Sequence, residues 1–361
     1  MIYLDHSATT KVCDAAKEAI VKHLDDFGNP SSVHELGRQS SILIEEAREK
    51  IAKCINANSD EVYFCSGGSE ANTWALNMKR SIAPAFEHHS IKPTLTAYVN
   101  EQGIAYPEAF DLNGYPGMCA IDVMSCMYVN NELGTIQPVS DIANVAHRRK
   151  GRLFHTDAVQ AVGHIPVDVK AINCDMLSAS GHKFGAPKGT GFLYVKNGTN
   201  LLSLINGGKQ ERGLRPGTEN VLGIISMAAA LEDAVEHMEE RNKHIKHLRD
   251  QMLDKLLQIP GVHLNGSLEN RVVSNINIRF DGVSGSRLVS LCSLYGIYIS
   301  AGSACNEGTP TPSHVLKAIG LSNEEALSSI RITIGHENTE EEINTAVNII
   351  TKLVERIRED E

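Results

Sequence analysis

A lysine in the segment 180–183, Ser-Gly-His-Lys, is a candidate catalytic amine. The apolar residues 176–177 lie before it, and a glycine-rich stretch and a second apolar run, 192–195, follow. This pattern predicts a strand that ends in a tight loop and is followed by another strand, so that Lys183 is held in place. Such a lysine suits Schiff-base chemistry, because burial favours the neutral, nucleophilic amine. Taken alone, the segment is more typical of a surface turn with a solvated lysine.

A second candidate site is the turn 66–70, Ser-Gly-Gly-Ser-Glu. The residues 61–65 before it predict a strand, and the apolar spacing in 71–80 predicts a helix. A helix that begins directly after such a turn offers free backbone N–H groups and the positive end of its dipole to an anion. Gly68 and Ser69 therefore suit a phosphate, although the same turn could be an ordinary connection with Ser69 as the helix cap.

Asp157 completes a set of groups that together suit one cofactor. It follows the strand predicted at 152–156, where a carboxylate can keep a bound ring nitrogen protonated through a charge-assisted hydrogen bond. Ser180 and His182 flank Lys183 and can reach the phosphate. A cofactor with a phosphate, a pyridine nitrogen and an aldehyde needs these anchors, and pyridoxal phosphate has all three features. An isolated Asp157 is more typical of a helix N-cap, and only the combination favours the cofactor.

Cys305 differs from the other cysteines of the chain. It lies in the segment 300–310, which consists of small residues and turn formers and gives a buried thiol little to pack against. A cysteine in an exposed loop is more typical of a reactive thiol than of a structural one, although a tolerated surface thiol is the alternative. Glu307 disfavours the thiolate, so its activation must come from the site itself.

The elements that position these residues alternate between strands and helices. We predict helices at 15–24, 37–55, 71–80, 140–147 and 223–258, and strands at 61–65, 121–129, 152–156, 175–180 and 192–196. Prolines interrupt every pattern in 81–118, where we predict no element. Candidate residues at strand ends indicate a mostly parallel α/β sheet that binds its ligands along one edge.

The pattern changes after residue 258. Short strands at 275–280, 298–300 and 330–334 precede a last helix, which begins at Thr339 with Glu342 in a capping box. We predict a large domain of residues 15–258 and a small α+β domain of residues 1–14 together with 259–361.

The composition excludes several classes of protein. A net charge of -10 argues against a nucleic-acid surface, and no apolar run reaches membrane-spanning length. The eight cysteines show neither CxxC pairs nor the spacing of zinc ligands. We therefore expect a cytoplasmic protein with no metal site, no membrane contact and no direct nucleic-acid partner.

These segments together resemble the cysteine desulfurases of the NifS/IscS-like group, which are fold-type I pyridoxal-phosphate enzymes. The resemblance extends over nearly the whole chain. The matching blocks are residues 3–10 (YLDHSATT), 27–34 (FGNPSSVH), 66–72 (SGGSEAN), 129–132 (VNNE), 155–160 (HTDAVQ), 180–183 (SGHK), 212–218 (RGLRPGT), 303–305 (SAC) and Arg331. It implies a large, mostly parallel α/β/α domain and a small α+β domain.

The resemblance also implies which residues bind the cofactor. They are Gly68, Ser69, His88, Asn131, Asp157, Gln160, Ser180, His182, Lys183 and Thr218. Within this set Asp157 would pair with the ring nitrogen, Gln160 with the phenolic oxygen, and His88 would stack on the ring. Thr218 would reach the phosphate from the second subunit of a homodimer.

The catalytic residues implied by the resemblance are Lys183, Cys305 and His88, with Asn131 and Arg331 holding the substrate carboxylate. The reaction converts L-cysteine to L-alanine and leaves a persulfide on Cys305 for a sulfur-acceptor protein of iron–sulfur cluster assembly or tRNA thiolation. Two alternatives stay open. One is a selenocysteine or cystine-type lyase that does not depend on Cys305, and the other is a degenerate, non-catalytic homologue that acts as a scaffold or regulator.

The chain departs from the family between residues 80 and 130, which are fewer than the family pattern leads us to expect. We see no convincing strand before Glu87, and His89 competes with His88 for the stacking position. Lys11 and Ala301 replace an expected proline and an expected serine, and neither change removes a catalytic group.

Overall fold

A seven-stranded sheet forms the centre of the larger part of the molecule. The structure is a computed structural model that describes residues 1–110, 121–301, 305–306 and 309–360, with the backbone alone for 305–306 and 309–310. The strands of the whole described chain are β1 (Ile2–Tyr3), β2 (Val62–Cys65), β3 (Ser81–Pro84), β4 (Leu95–Ala97), β5 (Val123–Ser125), β6 (Leu153–Asp157), β7 (Met176–Ser180), β8 (Gly191–Val195), β9 (Val262–Leu264), β10 (Asn275–Phe280), β11 (Ile297–Tyr298), β12 (Ser300–Ala301), β13 (Cys305–Asn306), β14 (Thr309–Pro310) and β15 (Ser329–Thr333). Its helices are α1 (Asp14–Lys22), α2 (Glu35–Cys54), α3 (Gly68–Leu76), α4 (Val139–His147), α5 (Val169–Ile172), α6 (Val221–Glu236), α7 (Met238–Leu256), α8 (Gly285–Leu294), α9 (His314–Ala318), α10 (Asn323–Leu327) and α11 (Glu340–Asp360).

The central sheet has the strand order β2-β8-β7-β6-β5-β3-β4. Strands β4, β3, β5, β6 and β7 run parallel, whereas β8 is antiparallel to both β7 and β2. This arrangement confirms the predicted α/β fold with a mostly parallel sheet. Because β6 and β7 are parallel neighbours, Asp157 and Ser180 at their carboxyl ends lie on the same edge of the sheet.

Helices cover both faces of this sheet. Side chains alternate along β8, with Phe192 and Tyr194 in one apolar core and Leu193 and Val195 in another. Helices α1, α2, α4 and α6 contribute to the first core, and α3 contributes Trp74 to the second. A strand with apolar residues on both faces must be buried on both sides, so the result is three layers, α/β/α.

A smaller antiparallel sheet, β12-β15-β10-β9, has a separate apolar core. Helices α7, α8 and α11 pack in this core, and Leu4 joins it from the N-terminal segment, where β1 pairs with β11. The apolar side of α7 belongs to this core as well, through residues such as Leu248 and Met252. The domain boundaries at residues 14 and 258 stay a prediction.

Three elements differ from the sequence predictions. The long helix predicted at 223–258 is two helices, α6 and α7, which meet at His237. Of the strand predicted at 121–129, only β5 is a regular strand. Beyond β5 the chain continues as a loop, in which the Tyr128 N–H donates a hydrogen bond to the Asp157 carbonyl. The expectation of no strand before Glu87 is wrong: β3 is there, but four buried residues that end in a proline are too few to show alternation.

None of the described helices is long and apolar enough to cross a membrane.

Candidate active site

A cavity of about 210 Å³ lies at the carboxyl ends of the parallel strands. It is lined by Ser7, Ala8, Gly68, Ser69, Asn72, His88, Met127, Asn131, Asp157, Val159, Gln160, Ser180, His182, Lys183 and Arg331. The cavity therefore brings together every predicted site residue except Thr218 and Cys305. Residues from the N-terminal segment and from both sheets meet here, although they are far apart in the sequence.

Lys183 stands at the end of a short 3-10 turn, Gly181–Lys183, that follows β7. The turn is tight, since a Cβ atom on Gly181 would lie only 2.7 Å from Thr190 Oγ1. The Lys183 Nζ donates hydrogen bonds to the backbone carbonyls of Ser7 (2.7 Å) and Ala8 (2.8 Å). Burial, together with the nearby Arg331 cation, lowers the pKa of Lys183 to about 8. The lowered pKa increases the fraction of this amine that is neutral and nucleophilic near neutral pH.

Asp157 is the last residue of β6 and is 4% exposed. Its Oδ1 accepts a hydrogen bond from the Val159 N–H (2.9 Å) and its Oδ2 accepts one from Asn72 Nδ2 (2.6 Å). Burial raises the pKa of Asp157, whereas these two donors and the nearby cation of Lys183 oppose the shift. The carboxylate is thus fixed by these two donors and also lines the cavity. This position suits a hydrogen-bond partner for a ring N–H in the cavity.

The turn before α3 forms a narrow cradle next to the helix N-terminus. A Cβ atom on Gly68 would lie 2.6 Å from Val159 Cγ2, and one on Gly191 would lie 2.6 Å from the Gly67 Cα. The glycines therefore allow the backbone of the turn to approach its neighbours closely. The free N–H groups of the first turn of this nine-residue helix are a suitable partner for an anion.

His182 and Gln160 stand beside this cradle and the lysine. The His182 Nδ1 lies 3.1 Å from Thr9 Oγ1, and burial lowers the pKa of His182 to about 4, so the ring is neutral at physiological pH. The Gln160 Nε2 donates to the Ser7 carbonyl (3.0 Å). Ser7 thus receives hydrogen bonds from both Gln160 and Lys183, which joins the N-terminal segment to the cofactor side of the cavity.

Of the two neighbouring histidines, His88 lines the cavity. Its Nδ1 lies 2.7 Å from Ser90 Oγ. The His89 ring packs instead against the His314 ring, with centroids 4.5 Å apart. This geometry favours His88 for the stacking position that the sequence left open.

Arg331 extends into the cavity from β15 of the smaller sheet. Its Nη2 contacts Asp5 Oδ1 (2.8 Å) and its Nη1 donates to the Asn131 carbonyl (2.7 Å). Its Nε and the Asn131 Oδ1 are buried and have no hydrogen-bond partner among the described residues. Asp5 is the residue that sequence reasoning missed. It lies in a matching block, but nothing local indicates a partner 326 positions away.

The two remaining predictions fall elsewhere. Thr218 is exposed and does not line the cavity of its own chain. Cys305 is described by its backbone alone, which pairs with Pro310 in a short hairpin, and its side chain lies outside the described part of the structure. Their roles therefore stay predictions.

The residues of the cavity fit pyridoxal phosphate. The helix N-terminus suits the phosphate, Asp157 suits the ring nitrogen and Lys183 suits the aldehyde. The buried oxygen Oδ1 of Asn72, a residue that lines the cavity, has no hydrogen-bond partner in the described chain. No group of three or more metal-ligating side chains is arranged to hold an ion within the described residues.

A larger cavity, of about 270 Å³, lies on the other side of the N-terminal segment and shares Ser7, Gln160 and Lys183 with the first. Asp157 and Arg331 do not line it. The smaller cavity is lined by Lys183, Asp157 and Arg331 together, and it is therefore the candidate active site.

Comparison with known proteins agrees with this geometry. Residues 2–345 match the aminotransferase class-V family. The chain is 40% identical to a cysteine desulfurase IscS of Methanosarcina thermophila, over 99% of this chain and 93% of that protein. A solved NifS-like protein has a TM-score of 0.90 at 34% identity, covering 98% of this chain and 99% of that one. A structure described as SspA in complex with cysteine has a TM-score of 0.79 at 32% identity, covering 94% of this chain and 100% of that one.

Proposed function

The chain belongs to the cysteine desulfurases of the class-V aminotransferase family, and on that premise we propose how its residues divide the reaction. It is a pyridoxal-phosphate-dependent enzyme that acts on L-cysteine. We propose that Lys183 and Cys305 carry the chemistry and that the sulfur goes to iron–sulfur cluster assembly or tRNA thiolation. The convergence of Lys183, Asp157 and Arg331 on one cavity is the observation that most strongly supports the role of Lys183 in this chemistry.

Each group in the cavity has one task in this proposal. Arg331 binds the substrate carboxylate, together with Asn131, and so turns the substrate towards Lys183. The Lys183 amine, with its pKa lowered to about 8, takes and returns a proton at the substrate Cα. When bound, the cofactor withdraws electrons from the substrate, and Asp157 maintains that property by keeping the ring nitrogen protonated.

Cys305 takes the sulfur. Its thiolate attacks the substrate sulfur, a sulfur–sulfur bond forms, and the bond between Cβ and sulfur breaks. The electron pair stays with the carbon, which takes up a proton and becomes the methyl group of L-alanine. The enzyme keeps the sulfur as a persulfide until an acceptor protein or a thiol removes it.

We also propose a homodimer in which Thr218 of each subunit serves the other subunit's site. Its exposure in the single chain supports this role. Six large apolar side chains in residues 21–42 are also exposed, and such a concentration is typical of a surface that a partner covers. They are Val21, Leu24, Phe27, Val33, Leu36 and Ile42.

The dimer is tested by sedimentation. The wild-type protein should sediment as a dimer, and Phe27→Asp should dissociate it, because Phe27 is 82% exposed in the single chain. Tyr295→Asp is the control, since Tyr295 is also exposed but lies outside residues 21–42. A wild-type monomer would contradict this part of the proposal.

We propose a cytoplasmic location as well. All cysteines whose side chains the structure describes are free thiols, namely Cys13, Cys54, Cys65, Cys126, Cys174 and Cys292. Free thiols fit a reducing compartment.

Mass spectrometry tests the assignment of the sulfur-carrying cysteine. After incubation with L-cysteine and no added thiol, alkylation and proteolysis should locate an additional sulfur atom on Cys305. Cys13→Ala is the matched control and should keep the modification on Cys305. An enzyme that turns over without any persulfide would favour the lyase alternative, and a protein that binds no pyridoxal phosphate would favour the scaffold alternative.

A further inference from the structure

A chain of hydrogen bonds joins Asp157 to His88 through two residues for which the desulfurase reaction supplies no role. The Asn72 Nδ2 lies 2.6 Å from Asp157 Oδ2 and 2.9 Å from Ser90 Oγ. The Ser90 Oγ in turn lies 2.7 Å from His88 Nδ1. Ser90 is therefore in contact with both Asn72 and His88, and Asn72 connects this pair to the aspartate.

The direction of each bond follows from the chemistry of the groups. An amide nitrogen only donates, so Asn72 Nδ2 gives one hydrogen to Asp157 and the other to Ser90 Oγ. The opposite amide orientation would bring two acceptors together at 2.6 Å, because Asp157 as a carboxylate has no hydrogen to give. The Ser90 hydroxyl, having accepted from Asn72, donates its own hydrogen to His88 Nδ1.

A second donor fixes the state of the His88 ring. The backbone N–H of Ser90 also points to His88 Nδ1, at 3.2 Å. An N–H group cannot accept, so Nδ1 must be the unprotonated nitrogen of the ring. The ring is then neutral with its hydrogen on Nε2, and protonation of Nδ1 would break the bond from the Ser90 backbone N–H and force the Ser90 hydroxyl to turn from donor to acceptor.

We propose that Asn72 and Ser90 are positioning residues that fix His88 as a neutral ring with a donating Nε2–H and couple this state to the charge of Asp157. The inference rests on the proposed sites of Asp157 and His88 at the cofactor. His88 then acts on the substrate or the cofactor as a hydrogen-bond donor, and Nδ1 is not free to serve as a base. Asn72 is 1% exposed, so water cannot replace its bond to Asp157.

The groups around His88 act on its pKa in both directions. Burial and the neighbouring groups His89, Lys183 and His314 lower the pKa of His88, and the Asp157 carboxylate alone opposes them. In the orientation set by Asn72, the Ser90 hydroxyl donates to the neutral ring, and Ser90→Ala removes this bond. The pKa of His88 should therefore rise in Ser90→Ala.

The experiment is a nitrogen-15 NMR titration of histidine-labelled holoenzyme, with the His88 signals assigned by His88→Gln. In the wild type, the spectrum should show an unprotonated Nδ1 and a protonated Nε2 at pH 7 and above. In Ser90→Ala the protonation midpoint of His88 should rise by about one pH unit, which corresponds to the tenfold effect of one hydrogen bond. Ser90→Thr keeps the hydroxyl and should behave as the wild type.

Asn72→Ala tests the coupling. This variant should move the His88 midpoint in the same direction, although Asn72 does not touch His88, and the double variant should shift it by less than the sum of the two single shifts. Ser290→Ala removes an unrelated hydroxyl, which bonds to Ser286 O on α8, and should change nothing. A wild-type ring protonated on Nδ1, or an unchanged His88 in Asn72→Ala, would overturn the inference. Because the tautomer is read directly, neither result depends on whether the enzyme desulfurates cysteine.

Discussion

Arg331, which lines the candidate active-site cavity, forms an ion pair with Asp5, with Nη2 and Oδ1 2.8 Å apart. The two side chains are 10% and 18% exposed, so solvent screens their attraction only in part. The pair joins β15 of the smaller sheet to the N-terminal segment, whose carbonyls hold Lys183. The residue proposed to receive the substrate carboxylate is thus fixed by the same segment that fixes the Lys183 amine.

The first prediction concerns this ion pair. In Asp5→Asn, the guanidinium loses its charged partner and its fixed orientation, so the KM for L-cysteine should rise about tenfold with a smaller change in kcat. Steady-state kinetics measures both constants. Arg331→Lys should raise KM further, because a single ammonium cannot replace the forked contacts. An unchanged KM in both variants would show that Arg331 does not bind the carboxylate.

The second prediction concerns the pKa of Lys183. Because burial and the Arg331 cation hold this pKa at about 8, the apoenzyme should combine with pyridoxal phosphate at a rate that is half-maximal near pH 8. Arg331→Gln removes the repelling cation, so the midpoint should move upward, towards the ordinary lysine value of 10.5. Arg331→Lys keeps the charge and should keep the midpoint. Stopped-flow absorbance measures the rate, and a midpoint that does not respond to Arg331→Gln would contradict the electrostatic explanation.

The third prediction uses a buried acid beside the site. Glu87 is 5% exposed, its Oε1 accepts from the Met127 N–H (2.6 Å), and burial together with Asp157 raises its pKa well above the ordinary 4.5. The folded protein therefore keeps Glu87 neutral where the unfolded chain ionises it. This contribution to stability is complete below pH 4.5 and is lost as the pH rises towards the raised pKa.

Glu87→Gln tests this point, because the amide cannot ionise. The free energy of unfolding of the variant relative to the wild type should increase as the pH is raised above 4.5. Urea unfolding at several pH values measures the difference, and Glu101→Gln, at an exposed position, is the control. A difference that stays constant with pH would mean that Glu87 is ionised in the fold.

The fourth prediction concerns the loop that carries Thr218. Glu211 lies at the start of this loop and forms two hydrogen bonds of 2.8 Å with the guanidinium of Arg48, and both side chains are almost fully buried. Glu211→Gln removes the buried charged partner of Arg48 and leaves only the largely exposed Glu45, whose Oε1 lies 3.2 Å from Arg48 Nε. The loss should cost about 3 kcal/mol of stability. Arg48→Met with Glu211→Leu removes both charges and should cost less than the single change. Denaturant unfolding measures the free energy of unfolding of the single and the double variant. A loss below about 1 kcal/mol in Glu211→Gln would contradict a stabilising contribution of the Arg48–Glu211 pair.

Much of the active site was predictable from the sequence, because strand ends have local signals. Lys183 and Asp157 each follow a predicted strand, and the carboxyl ends of parallel strands meet at one edge. The turn at Gly68 and Ser69 gave a weaker signal by itself, because a turn of small residues before a helix can also be an ordinary connection. These residues lie where the sequence predicted them.

The contacts between distant segments were not predictable. Asp5 meets Arg331 only because β1 pairs with β11 and the N-terminal segment then crosses to the cavity. Asn72 was read as part of a helix, and its bond to Asp157 depends on how α3 sits against the end of β6. Strand β3 was not predicted because it is short and buried on both faces, so its sequence shows no alternation of apolar and polar residues.

In the proposed mechanism, Lys183 and Cys305 together convert L-cysteine to L-alanine and transferable sulfur. The direct measurement is the amount of alanine and sulfide formed from L-cysteine in the presence of a thiol. The wild type and the control Cys13→Ala should give equal amounts of the two products, and both Lys183→Ala and Cys305→Ala should give neither. A Cys305→Ala enzyme that forms alanine and sulfide at the wild-type rate would contradict the account.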